Sequence, residues 1–291
     1  MQSSFSGRNP SAGSARAPLT MSHGVKKSPQ AISAIVVGLN EAHLLGDCLT
    51  GIWFCDEIIY VDLGSIDNSV EVAQRHGAEV RHHDRVPSGE YIVAELCGEA
   101  RHDWILFIDP DENLDSLIAE ELMSRFESFD KSSNVGSVAG PWQFYFKGKA
   151  LVGTPWGGAK PRPFLANRNR FEFAPETHRG RILRHGFDQE LLVEGGQIDH
   201  YWSNSWLGLV RKHLRYLKTE GGSRFRRGER ISLGGVVASV PKTISQTYGG
   251  SWDKRDGLQG VMLCALWVWY KSMALFSLWR FERLQKKQSR A

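Results

Sequence analysis

Short apolar runs alternate with longer amphipathic stretches from residue 31 onward, and this alternation predicts strands separated by helices. The runs at residues 31–37, 57–61, 79–82 and 104–108 predict strands, and residues 41–53, 69–76 and 91–100 predict helices between them. Strands that alternate with helices form right-handed βαβ units, so we expect an open, mostly parallel α/β sheet flanked by helices. Ligands bind such sheets beyond the carboxyl ends of the strands, so the residues that follow each strand are the candidates for binding and catalysis.

Polar residues follow the first two predicted strands. The first strand is followed by Asn40 and Glu41, and the second runs into the segment from Asp62 to Ser69. A carboxylate placed at a strand end, such as Asp62, can accept hydrogen bonds from a base or ribose hydroxyl of a nucleotide. The structural alternative is a tight turn at Gly64 followed by a helix capped by a side chain of the same segment.

Three acids in four residues follow the fourth predicted strand. Asp109 and Asp111 are separated by Pro110, and Glu112 comes next. Two carboxylates at this spacing predict a site for a hard divalent cation, Mg²⁺ or Mn²⁺, that would bridge a diphosphate. The alternative is an N-cap for a helix predicted at residues 114–126, although a cap requires one acid only.

Composition limits the class of protein. The 291 residues include 36 basic and 32 acidic side chains, a net charge of +4, so the chain is only mildly basic and we do not expect a nucleic-acid partner. The four cysteines contain no CxxC pair, which indicates buried thiols in a reducing compartment rather than structural zinc.

The two ends of the chain differ from the middle. Residues 1–30 are rich in Ser, Gly, Ala and Pro without any acid, and they predict a disordered extension. Residues 261–279 are apolar except for Lys271, and a basic tail follows them. We expect this segment to lie in a membrane interface, with Trp267, Trp269 and Trp279 at headgroup level. Packing against the protein or a second copy, or a transmembrane span, are the alternatives.

These motifs in this order resemble family 2 glycosyltransferases, which have the GT-A fold, and within them the lipopolysaccharide-core β-1,4-glucosyltransferase-like branch. The resemblance covers about residues 31 to 279. It implies a Rossmann-like GT-A domain at 31–250, with a nucleotide-sugar half at 31–130 and an acceptor half at 131–250. Residues 251–291 would form the C-terminal apolar helix and basic tail.

The resemblance also implies roles for individual residues. The nucleotide-sugar would contact Asn40, Glu41, Asp62, Gly64, Ser65 and Asp67, and the metal on its diphosphate would be held by Asp109 and Asp111. His200 is a candidate third ligand or a donor to the phosphates, with a structural role as the alternative. Lys160 and Arg162 would contact the diphosphate or an anionic acceptor, unless they form a solvated basic strand.

Glycosyl transfer also needs a base that deprotonates the acceptor hydroxyl. We assign this role to Glu176, while spacing alone does not exclude Glu172, Asp188 or Asp199. A single displacement would invert the anomeric configuration.

The expected function is metal-dependent transfer from a nucleotide-diphospho-sugar, UDP-glucose by resemblance, to a saccharide or lipid-linked acceptor of the cell envelope. The expected location is the cytoplasm, peripheral on the cytoplasmic face of the membrane. A nucleotidyltransferase is one alternative, but it usually needs a Gly-rich basic loop that the first strand lacks. A non-catalytic sugar-nucleotide or membrane-binding protein is another, because Val93, Ala94 and Arg179 depart from the branch.

Overall fold

The computed structural model describes residues 31–126, 134–175 and 181–288. Its main sheet has ten strands, and two further strands form a separate antiparallel ribbon. The strands of the main sheet are β1 Ile32–Gly38, β2 Glu57–Asp62, β3 Glu79–His82, β4 Trp104–Ile108, β5 Glu112–Leu114, β6 Val135–Phe146, β7 Lys149–Ala150, β8 Lys160–Asn167, β11 Asp188–Leu191 and β12 Ile198–Ser203. The ribbon consists of β9 Phe171–Phe173 and β10 Arg181–Leu183.

The first half of the sheet is the parallel part, and the sequence prediction for it is confirmed. Strands β3, β2, β1 and β4 lie side by side in that order and pair in parallel. The helices between them are α1 Ala42–Gly51, α2 Ser69–Arg75 and α3 Gly89–Leu96. The predicted strand bounds differ from the observed ones by no more than one residue, whereas α3 begins and ends earlier than its apolar pattern predicts.

The second half of the sheet is mixed. Strand β8 pairs antiparallel with both β4 and β6, β12 runs parallel to β6, and β5 closes the edge antiparallel to β12. The open GT-A-type sheet flanked by helices is therefore confirmed, but only its first half is parallel throughout. The reason is that β4 and β8 are not joined by a βαβ crossover, so nothing imposes parallel pairing there.

Side chains of the central strands alternate between two hydrophobic layers. Ala34 and Val36 of β1 face the core cluster that also contains residues of α1, while Ile35 and Val37 face the cluster that contains residues of α3. Successive residues of a strand point to opposite faces of the sheet, and here both faces are covered. Double burial explains why β1 reads as a continuous apolar run rather than an alternating one.

The described residues form four further helices: α4 Ser116–Phe126, α5 Trp206–Arg226, α6 Leu233–Gly250 and α7 Gly257–Gln288, the last preceded by a single 3₁₀ turn, Lys254–Asp256. Helix α7 packs along α5, where a Cβ on Gly221 would stand 2.6 Å from the Ser277 carbonyl oxygen. It also reaches the sheet domain, since the Trp267 ring lies 5.1 Å from the ring of Trp156. The apolar C-terminal segment is thus part of the folded protein.

Candidate active site

The loops after β1 and β2 are joined by side-chain hydrogen bonds. Asn40 adopts a left-handed backbone with φ 59°, which its short polar side chain tolerates. The Asn40 side-chain oxygen accepts a hydrogen bond of 2.8 Å from the Ile66 backbone, and Ser65 Oγ accepts one of 2.9 Å from the Asn40 backbone. The two loops therefore form one preorganised rim at the ends of adjacent strands.

The two acids of this rim hold backbone in place. Asp62 is buried and accepts bonds of 3.2 Å from the Gly64 amide and 3.0 Å from the Ser65 amide. Burial alone would raise the pKa of Asp62, but these hydrogen bonds outweigh it and lower the pKa. Asp67 accepts bonds of 3.1 Å each from the backbone amides of Ala42 and Ser69, at the first turns of α1 and α2. The rim places all the predicted nucleoside residues together, with both acids in capping and turn roles.

The acids after β4 do not cap the next helix. Residues 112–114 form strand β5 instead of a helical turn, and Asp115 accepts the 2.8 Å bond from the Leu117 amide at the start of α4. The capping interpretation of Asp109, Asp111 and Glu112 is therefore wrong, because the strand inserted at 112–114 moves the helix start beyond them.

Glu112 holds neighbouring parts of the site together through its carboxylate. One carboxylate oxygen accepts a 2.9 Å bond from the Asp109 amide, and the other accepts a 3.1 Å bond from the Trp142 indole. The second oxygen also lies 2.9 Å from His200 Nδ1. Glu112 thus links the end of β4 to strands β6 and β12.

Asp111 is 8% exposed and lies between two cationic groups. One of its oxygens stands 3.4 Å from His200 Nε2 and 3.5 Å from Lys212 Nζ. Burial alone would lower the pKa of His200, but the charges of Asp111 and Glu112 raise it to about 9, so the ring is an imidazolium at neutral pH. Burial alone would raise the pKa of Asp111, and the same two cations hold it below its usual range.

Asp109 and Glu41 carry raised pKa values in the same region. Burial among the strand ends, followed by the charges of Glu112 and Asp111, raises the pKa of Asp109 to about 7. Burial, followed by the charges of Asp111 and Asp109, raises the pKa of Glu41 to about 8. Buried carboxyl groups that lie beside other carboxylates keep their protons to a higher pH, so this region carries less negative charge at neutral pH than its number of acids suggests.

An open cleft of about 470 Å³ lies beside this cluster. Glu41 and Asp111 line one side, and Arg211, Lys212 and Arg215 of α5 line the other. Sequence reasoning missed the three basic residues, although their spacing along α5 places them on one helical face. Cationic side chains bind phosphate oxygens directly, and a carboxylate beside them can hold a divalent ion that binds phosphate as well. The cleft therefore suits a phosphate group.

The donor atoms near Asp111 suit a hard divalent ion in part. Asp111 supplies a carboxylate, and His200 has two buried ring nitrogens without a well-directed hydrogen bond. Within residues 31–126, 134–175 and 181–288, no three His, Cys, Asp or Glu side chains already stand as a ligand set. The fit therefore rests on Asp111 and His200 as the first pair of ligands, and the predicted metal contact of Asp109 stays a prediction. A neutral His200 and a displaced Lys212 are required before both can bind an ion.

The other predicted residues have mixed placements. Lys160 and Arg162 lie on β8, where Lys160 donates a 3.1 Å bond to the Pro155 carbonyl and the Arg162 guanidinium stacks 4.6 Å from the Phe144 ring. That ring in turn stacks on His200 at 4.6 Å, so Arg162 is close to the cluster. Lys160 is exposed and does not line the cleft.

The three candidate bases that the structure describes, Glu172, Asp188 and Asp199, are not among the cleft-lining residues. Glu176 lies outside the described residues. Asp199 neighbours His200 on β12 and accepts a 2.7 Å bond from Gln197, and strand alternation places it on the face opposite His200. Glu172 and Asp188 are exposed on β9 and β11. Glu176 stays a prediction.

Comparison with known proteins gives the family. The Glycosyl transferase family 2 model matches residues 33–191. The lipopolysaccharide core biosynthesis glycosyltransferase LpsC of Rhizobium meliloti is 30% identical over 79% of this chain and 84% of its own length. An uncharacterized glycosyltransferase of Rickettsia prowazekii is 25% identical over 69% of this chain and 70% of its own.

Other matches are shorter or more distant. A TPR repeat-containing protein of Synechococcus elongatus is 32% identical over 97 residues, and the match spans 24% of that protein. A solved mycobacterial protein shares 18% identity over 70% of this chain and 76% of its own, with a TM-score of 0.47. The family model covers more than half of the chain, and the chain matches LpsC over 84% of its length at 30% identity. The chain belongs to glycosyl transferase family 2 and is a glycosyltransferase.

Proposed function

We propose that this glycosyltransferase transfers a sugar from a nucleotide-diphospho-sugar, with Mg²⁺ or Mn²⁺ bound through Asp111 and His200. The observation that supports the proposal most is the cleft itself, in which Asp111 faces the cations of α5. A diphosphate carries the charge that these cations would neutralise, and its oxygens would complete the coordination of an ion on Asp111.

The proposed acceptor is a saccharide or lipid-linked saccharide of the lipopolysaccharide core. LpsC, the relative aligned over 84% of its length, is named for that pathway. UDP-glucose is the proposed donor by resemblance to the glucosyltransferase-like branch. The chain would act in the cytoplasm, at the cytoplasmic face of the membrane, with α7 in peripheral contact with lipid.

Each group of residues has a proposed task. The rim built by Asn40, Ser65 and Asp67 would hold the nucleoside at the ends of β1 and β2. Lys212 and its neighbours on α5 would bind the diphosphate as negative charge develops on the leaving group. A divalent ion held by Asp111 and His200 would supply Lewis-acid stabilisation of that charge.

Glu176 is proposed to deprotonate the acceptor hydroxyl, and a single displacement would then invert the anomeric centre. Glu112 would keep His200 and the end of β4 aligned through its bonds to Trp142 and the Asp109 amide.

The proposal is tested by thermal unfolding with UDP, UDP-glucose and related nucleotide sugars, each with and without Mn²⁺. Ligands that bind only the folded state raise the melting temperature in proportion to ln(1 + [L]/Kd). We expect the wild type to show a manganese-dependent shift and Asp111→Asn to lose it.

The matched control is Asp115→Asn, which changes a neighbouring acid that caps α4. This variant should keep the manganese-dependent shift. A full shift in Asp111→Asn would contradict the metal assignment, and a wild type that responds to no nucleotide sugar would contradict the proposed donor class.

A further inference from the structure

Helix α7 has two apolar faces, and the protein covers only one of them. Its buried side chains form one stripe along the helix: Leu263, Cys264, Tyr270, Ala274 and Leu278. The opposite stripe is exposed and consists of Leu258, Val261, Met262, Met273 and Phe276. Trp267, predicted at headgroup level, packs on Trp156 instead. A transmembrane orientation would strip the buried stripe from its partners, so α7 stays on the protein surface with one apolar face outward.

Helix α6 packs against α7 and exposes apolar side chains of its own. Leu233, Val237 and Ile244 are exposed at spacings of four and seven residues, which places them on one side of the helix. Val237 is 66% exposed and Leu258 of α7 is 76% exposed. We define the α6–α7 face as these residues together with the exposed stripe of α7. Exposed apolar side chains on two neighbouring helices mark an interaction site.

A basic pocket of about 390 Å³ opens at one end of the α6–α7 face. It lies between the start of α6 and the last turns of α7. The residues that line it include Arg230, Ser232, Leu233, Glu282, Arg283 and Lys286. Three cations thus stand against one carboxylate. Ser232 caps α6 by accepting a 3.0 Å bond from the Gly235 amide, so the positive end of the helix dipole also points to this pocket.

The cations of the pocket are held in place by local contacts. Arg230 donates bonds of 2.9 Å to the Phe225 carbonyl and 2.7 Å to the Glu229 carbonyl, both through Nη1. These bonds do not use its other two guanidinium nitrogens. The Arg283 guanidinium lies 5.3 Å from the Trp279 ring centre, and Lys286 pairs with Glu282 at 2.7 Å. A preorganised set of donors binds an anion with less loss of side-chain entropy.

We infer that this pocket binds the phosphate of an anionic membrane lipid while the α6–α7 face lies in the acyl boundary. The inference rests on the proposed membrane contact and assigns a headgroup site to it. Phosphate oxygens would accept charge-assisted hydrogen bonds from Arg230, Arg283 and Lys286. Leu233 belongs both to the pocket and to the face, so one lipid molecule can contact the two surfaces at once.

A second copy of the chain is a poorer occupant of this surface. The α6–α7 face consists of apolar residues, so in a twofold dimer through this face it would offer no acidic side chain to the three pocket cations of the other subunit. An anionic bilayer instead offers apolar tails to the face and negative headgroups to the pocket.

The test is flotation of the full chain with phosphatidylcholine vesicles that contain or lack phosphatidylglycerol. The pocket variant is Arg283→Gln with Lys286→Gln, and the matched control is Arg280→Gln with Lys287→Gln on the same helix outside the pocket. Each pair removes two positive charges. We expect the pocket variant to bind phosphatidylglycerol vesicles at least about tenfold more weakly than the control does.

Each other outcome overturns the inference in its own way. Equal losses in both variants would mean general surface electrostatics without a headgroup site. Equal binding to vesicles that lack phosphatidylglycerol would mean that binding does not require an anionic lipid. Concentration-dependent dimers that resist vesicles would assign the face to a second copy. A wild type that binds no vesicle would contradict the proposed membrane contact itself, and the nucleotide-sugar thermal shift, measured in parallel, reports separately on the catalytic proposal.

Discussion

The acids between β4 and α4 have four different environments within seven residues. Asp111 faces the cleft and two cations, whereas the Glu112 carboxylate accepts hydrogen bonds from the Trp142 indole and the Asp109 amide. Asp115 caps α4. Asp109 carries a pKa raised to about 7 by burial and by its acidic neighbours. Chemistry at this strand end therefore depends on which carboxylates remain available after the fold has used the others.

Glu112→Gln should destabilise the protein by about 1–3 kcal/mol. Both carboxylate oxygens of Glu112 accept hydrogen bonds from N–H groups, and the substitution replaces one of these oxygens with an NH₂ group, which cannot accept. The free energy of unfolding, measured with urea, checks this. Glu120→Gln on the exposed face of α4 is the control and should be nearly neutral. Equal stability of the two variants would show that the Glu112 bonds contribute nothing.

Lys212→Met should weaken binding of UDP in the presence of Mn²⁺ by about tenfold, the effect of losing one charge-assisted hydrogen bond. Lys218→Met is the control, since Lys218 is exposed on the same helix and does not line the cleft. Titration calorimetry measures both affinities. Wild-type affinity in Lys212→Met would remove this lysine from the proposed phosphate site.

The packing of α5 on α7 depends on a close approach of two helices. A Cβ at Gly221 would stand 2.6 Å from the Ser277 carbonyl oxygen, so the helices approach at a residue without a side chain. At the neighbouring Gly222 the nearest atom, on the Phe281 ring, would be 3.4 Å away, an ordinary contact. Two adjacent glycines therefore differ in purpose although the sequence does not distinguish them.

Gly221→Ala should destabilise the protein by about 1–3 kcal/mol, because overpacking outweighs the gain in helix propensity of about 1 kcal/mol. Gly222→Ala should instead be neutral or stabilising, since it keeps the propensity gain without the clash. Thermal unfolding of both variants gives the sign of each change. Identical signs would mean that α5 and α7 do not approach at this point.

At the scale of the whole molecule, α7 packs into the main hydrophobic core on one side and contributes to the α6–α7 face on the other. Leu263 belongs to the main hydrophobic core cluster, and Asp256 just before the helix accepts bonds from the amides of Val152 and Gly153. The segment that the sequence marks as a membrane candidate is thus also a structural support. Among the residues that the structure describes, one helical stretch, Lys254–Gln288, which comprises the 3₁₀ turn and α7, is long and apolar enough to span a bilayer, although one face of α7 is packed against the protein.

A chain that ends at residue 256 should lose more than about 5 kcal/mol of stability, because several large buried side chains of α7 are removed at about 1.5–3 kcal/mol each. Soluble yield and melting temperature check this expectation. Leu258→Gln, at an exposed position of the same helix, should leave the melting temperature nearly unchanged. A truncated chain that melts like the full one would show that α7 is an independent appendage.

The sequence by itself determined the parts of the protein that depend on local pattern. Apolar runs gave the parallel strands to within one residue, because residues 31–37 and 104–108 are buried on both faces and must be continuous. Acids at the end of β4 and the order of the motifs indicated the glycosyltransferase family. These features are local, so neighbouring residues suffice to predict them.

Only the tertiary structure decided which groups meet. Strand β5 exists because Glu112–Leu114 pairs with β12, more than eighty residues away, a partner that no local pattern reveals. That pairing brings His200 beside Glu112 and Asp111, and the packing of α5 places Lys212 at the same carboxylate. Pairing of distant segments costs conformational entropy, because the chain between them must be ordered and closed into a loop. Contacts throughout the core offset this cost, so only the complete fold determines which segments pair.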